Sequence, residues 1–76
     1  MSIPFMRLEK FDRRFGTIAV NKGFITAKQL VRALELQVTE EIEDGKHRLI
    51  GIILYEQGQI TPSQIDEVDR EVMEAR

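Results

Sequence analysis

The chain has no cysteine and no tryptophan, a single histidine and two prolines. Without cysteine there is no disulfide staple and no thiolate metal site. One histidine, His47, cannot build a histidine metal cluster or a two-histidine relay. The longest apolar run, Leu49 to Tyr55, is broken only by Gly51 and is far too short to cross a bilayer. The first ten residues acquire charge at Arg7, Glu9 and Lys10, so they lack the apolar stretch of a secretory signal. A cytoplasmic, non-transmembrane chain is the expectation, with no metal and no cofactor. Neither a Walker-type loop nor GxGxxG occurs, and Ser2 and Ser63 have no histidine placed beside them by a recognisable motif. Enzymatic chemistry is not expected.

What is present is a compact, highly charged composition: 42 % hydrophobic and 32 % charged over 76 residues. That suits one small domain spanning 1–76, which buries only about 60 % of its unfolded surface. The net charge is −2, but unevenly distributed. Residues 1–40 carry seven Lys/Arg and four Asp/Glu, whereas residues 41–76 carry four and nine. The basic half suits an anion, and both halves also read as ordinary solvated faces.

The most informative feature is an internal repeat. Phe15–Leu34 aligns with Ile50–Asp69 without a gap, at an offset of 35 residues. Gly16 falls on Gly51, Gly23 on Gly58, Ile25 on Ile60, Thr26 on Thr61, Gln29 on Gln64 and Leu30 on Ile65. A shared offset of turns, caps and apolar positions marks a duplicated supersecondary unit. Each unit reads as helix, tight turn, helix, with repeat 1 over about 11–42 and repeat 2 over about 48–75. Phe11, Phe15, Ile18 and Ala19 form a helical stripe. Gly23 and Gly58 suit left-handed helix ends. Thr26 with Gln29, and Thr61 with Gln64, spell capping boxes, and Pro62 suits a first helical position. The next stripe, Ala27, Leu30, Val31, Leu34, Val38 and Ile42, is expected to face the core, as are Ile65, Val68 and Val72. Leu49–Tyr55 alone would pass for a buried strand; its counterpart Phe15–Lys22 argues for helix. The expected fold is all-α: four helices from two tandem helix-turn-helix repeats, preceded by an extended arm. In that arm Ile3 and Phe5 pack back and Pro4 prevents an early helix.

His47, between Lys46 and Arg48, is expected to be a solvent-facing loop histidine. Gly16 and Gly51 each fall in or near a helix start, at about 1 kcal/mol relative to alanine. Two reasons fit: close helix–helix contact, or a ligand lying on exposed backbone. Arg13 and Arg14 beside Gly16 could grip a phosphate through a guanidinium fork, and Gln37 could read a base edge; each is also an ordinary surface residue.

Arg14 to Gln37 resembles the repeated motif of the MshEN-type domain, found at the N-terminus of type II secretion and type IV pilus assembly ATPases. The matching residues are Arg14, Phe15, Gly16, Ile18, Val20, Gly23, Ile25, Leu30, Ala33, Leu34 and Gln37. In that family the tandem motifs can bind cyclic di-GMP. The resemblance therefore implies a nucleotide site at Arg14, Gly16, Gly23, Leu30, Leu34 and Gln37. The second copy departs from the pattern: Leu49 stands for the arginine, Asp69 for a leucine and Val72 for the glutamine. Arg48 lies one residue early, roughly a 100° rotation on a helix. Two readings follow. The leading one is a non-enzymatic regulatory or docking module that contacts a protein of a secretion or pilus machine, at the inner face of the membrane through that partner. The alternative is a cyclic di-GMP sensor. A DNA-binding helix-turn-helix ranks third, because Asp66, Glu67, Asp69, Glu71 and Glu74 make the last helix acidic. The resemblance, with a helical pattern running up to Arg76, also fits a fragment of a larger ATPase.

Overall fold

A computed structural model describes the backbone of residues 3–74 and the side chains of residues 11–74. Four helices follow one another: α1 (Ile3–Asn21), α2 (Ala27–Asp44), α3 (Ile50–Glu56) and α4 (Pro62–Glu74), with no strand among the described residues. Leu49–Tyr55 is thus the entry to and body of α3 rather than a strand.

The duplication is visible in individual hydrogen bonds. After α1, the Gly23 N–H donates to the Val20 carbonyl at 2.9 Å and the Phe24 N–H to Ala19 at 3.0 Å. After α3, Gly58 donates to Tyr55 and Gln59 to Leu54, both at 2.9 Å. These are two Schellman endings, and each needs a left-handed residue, supplied by Gly23 at φ +81° and Gly58 at φ +74°. The next helices begin alike. The Gln29 N–H donates to Thr26 Oγ1 and the Gln64 N–H to Thr61 Oγ1, both at 3.1 Å. The glutamine oxygens accept from the threonine N–H groups at 2.9 and 3.0 Å. Each box satisfies two backbone donors at a helix start.

The hairpins interlock. α1 packs chiefly on α4 and α3, and α2 chiefly on α3; α1 and α2 touch more lightly. The core takes corresponding residues from both copies: Phe15 and Ile50, Ala19 and Leu54, Ile25 and Ile60, Ala33 and Val68. The glycines permit the crossings. A Cβ on Gly16 would lie 2.4 Å from Leu30 Cδ1, and one on Gly51 would lie 3.1 Å from Phe15 Cζ. Close helix contact is therefore sufficient reason for both.

Two expectations change. The stretch expected as an extended arm continues α1 back to Ile3. Pro4 falls in the first turn, where its missing N–H has no intrahelical partner to lose. The expected packing of Ile3 and Phe5 lies outside the described residues. The α2 stripe also points differently. The buried residues of α2 are Ala33 and Gln37, while Val31, Val38 and Ile42 are exposed. α2 is apolar on two sides, and a helical stripe alone does not say which side meets the core.

Candidate functional site

Asp12 lies one turn ahead of Phe15 and two ahead of Ala19, so it shares their inward face and is 1 % exposed. Its carboxylate is held from two directions. Gln37 Nε2 donates to Oδ2 at 2.6 Å, and the Ile50 N–H donates to Oδ1 at 3.3 Å. Gln37 Nε2 also donates to the Arg48 carbonyl at 2.7 Å. Leu49, the residue just before α3, offers no side-chain cap, so Asp12 supplies an acceptor there from another helix. Burial pushes the Asp12 carboxyl above its usual range, against the lowering effects of Gln37, the Ile50 N–H and His47.

His47 is not a solvent-facing loop residue. It is mostly buried between Asp12, whose Oδ2 is 3.6 Å from its Nε2, and Glu41, which faces its Nδ1. Beside it, Arg48 binds Glu40 with two nitrogens, at 2.9 Å from Nε and 2.6 Å from Nη2, and reaches Glu56 through Nη1. Hydrogen bonding to Arg48 lowers the Glu40 carboxyl. The second-copy arginine is thus engaged by two carboxylates. At the opposite joint, Lys22 in the turn after α1 pairs with Glu67, at 2.8 Å, and with Glu71, both on α4.

The six residues that the family resemblance singled out do not form one exposed polar site. Arg14 is exposed on α1. Gly16 is buried, facing Leu30. Gly23 forms the turn. Leu30 and Leu34 are half-buried against the core. Gln37 is 3 % exposed, with its amide nitrogen committed to Asp12 and Arg48.

A cleft opens instead at the equivalent place in the second copy. A cavity of about 80 Å³ is lined by Phe11, Phe15, Leu49, Gly51, Ile52, Ile65 and Asp69. Leu49, Gly51, Ile65 and Asp69 are the 35-residue counterparts of Arg14, Gly16, Leu30 and Leu34. Its character is reversed from basic to apolar and acidic. Burial raises the Asp69 carboxyl, with Asp66 adding to the effect. Leu49, Ile52 and, one turn further along α3, Tyr55 are all exposed.

Sequence reading missed Asp12 as an interior residue. The 12, 15, 19 spacing was the available signal. No described helix is long and apolar enough to cross a membrane. No family model, no curated protein and no solved structure matches this chain.

Proposed function

We propose that this chain is a non-enzymatic docking module, similar in role to the N-terminal domain of a secretion or pilus assembly ATPase. It binds a protein of such a machine, in the cytoplasm at the inner face of the membrane. The observation that carries this reading is the reversal at the second-copy cleft. Where the nucleotide-binding motif would place an arginine, an apolar side chain and Asp69 meet the incoming group. An acidic, oily cleft repels a dianionic nucleotide. It suits a partner that inserts an apolar side chain beside a basic one, as in protein interfaces anchored by a few desolvated residues. Leu49, Ile52 and Tyr55 extend the apolar rim.

Site-specific photo-crosslinking from Ile52 in intact cells tests the reading. The expected product is an adduct with a secretion or pilus component, lost when Asp69→Arg is combined with the crosslinker. Adducts absent at Ile52, with saturable binding of cyclic di-GMP by the purified chain, would replace docking with the sensor reading.

A further inference from the structure

The α2 face left outside the core carries a second inference, independent of the docking cleft on α3. Ala27, Val31, Leu34, Val38 and Ile42 fall within about 80° of arc at 100° per residue, and so form one stripe. Val31, Val38 and Ile42 are 52, 49 and 79 % exposed, so no described residue covers this part of the stripe fully. Shallow grooves along it are lined by Val31, Leu34 and Val38 and bordered by Lys28, Arg32 and Glu35.

The charges beside the stripe indicate what covers it. Lys28 and Arg32 occupy the first half of α2, and Glu35 and Glu43 lie further along the same flank. A helix that is basic in one half and acidic in the other is complementary to itself when reversed. We propose that two copies of this chain pair through α2, antiparallel about a two-fold axis near Leu34 and Glu35. In that register Val31 meets Val38 of the partner subunit, and Ala27 meets Ile42 of the partner subunit. Lys28 lies within about 3 Å along the axis of Glu43 of the partner subunit, and Arg32 within about 3 Å of Glu35 of the partner subunit, on the same side of the seam. The two helix dipoles oppose, which favours the reversed orientation. A two-fold contact is self-complementary and closes on itself, so it yields a dimer and no filament. With 18 residues, α2 is about 27 Å long. An interface of one helix pair sits at the small end of specific contacts, so the dimer is a weak, concentration-dependent one.

Sedimentation velocity on the full chain reads this directly. The mass is expected to rise from 8.8 kDa toward twice that value between micromolar and millimolar concentration. Val38→Glu is expected to hold the single-chain mass throughout with an unchanged helical circular dichroism spectrum, because Val38 makes little of the core. Orientation is read by oxidation in a chain that has no native cysteine. A mixture of Val31→Cys and Val38→Cys chains should form disulfide dimers. Either variant alone should not, since in this register each residue is about 10 Å along the axis from its own copy. A wild-type chain that stays at 8.8 kDa at millimolar concentration overturns the proposal. So does Val31→Cys alone oxidising as fast as the mixture. Neither result touches the docking cleft, whose test uses Ile52 on another helix.

Discussion

Gln37 Nε2 lies 2.6 Å from Asp12 Oδ2 and 2.7 Å from the Arg48 carbonyl, so one side-chain amide ties α1, α2 and the connection before α3. The corresponding positions in the second copy are His47 for Asp12 and Val72 for Gln37. Asp12 and His47, related by the 35-residue offset, face each other across 3.6 Å. The duplicated hairpins thus meet around a polar knot whose carboxylate and side-chain amide both come from the first copy. Val72 is as buried as Gln37 but has nothing to donate.

Replacing Gln37 with leucine keeps the volume and removes the donor. Asp12 then keeps only the longer bond from the Ile50 N–H, and the Arg48 carbonyl loses the Gln37 bond. A cost of about 1–3 kcal/mol follows from leaving buried polar groups under-satisfied. Urea denaturation of Gln37→Leu, Asp12→Asn and the double variant should give a coupling energy of at least about 0.5 kcal/mol. A coupling of zero would mean that the 2.6 Å contact has no energetic weight.

Asp12 also sets a pH dependence. Its carboxyl is raised by burial, so the folded chain holds that proton more tightly than the unfolded chain. The sign follows from linkage: stability is greatest below the unfolded value. It falls as pH rises through the window up to the folded value and stays lower above it. His47, Gln37 and the Ile50 N–H face the carboxylate and oppose the shift without reversing it. Asp12→Asn has no proton to lose. The stability of the variant relative to wild type should therefore climb with pH across the acidic range and then level off. A difference that is flat, or that falls with pH, would show that the carboxyl is not raised.

The two turns should respond alike. Gly23 and Gly58 both sit at positive φ with open space where a Cβ would be, so Gly23→Ala and Gly58→Ala introduce backbone strain and no clash. Each is expected to cost about 1 kcal/mol. Thr26→Ala and Thr61→Ala each remove one arm of a capping box, again at about 1 kcal/mol. Thermal unfolding of the four variants checks both pairs. A large effect in one copy beside none in the other would mean that the copies are not energetically equivalent.

Much of this fold was legible because its punctuation is local. A glycine that must be left-handed and a threonine followed by glutamine are determined within five residues, so the turns and helix starts follow from the residues themselves. Which side of α2 faces inward was not legible. Val31 and Val38 are as apolar as Ala33 and Leu34, and only the neighbouring helices decide which of them is covered. The polar knot was hidden for a related reason. Asp12 lies 25 residues from Gln37 and 38 from the Ile50 N–H, and a carboxylate among charged residues reads as surface until α3 is placed above it. The start of α1 misled in the opposite direction, since Pro4 is as compatible with a helix's first turn as with an extended arm.

The most direct test of the account follows the side-chain amide of Gln37 by NMR while cyclic di-GMP is titrated to millimolar concentration. If Gln37 serves the interior and function resides on the apolar surfaces, its amide resonances, with the backbone signals of Arg14 and Gly16, stay where they are. Saturable shifts at those three residues would contradict it, because they would require the knot around Asp12 to open for a nucleotide.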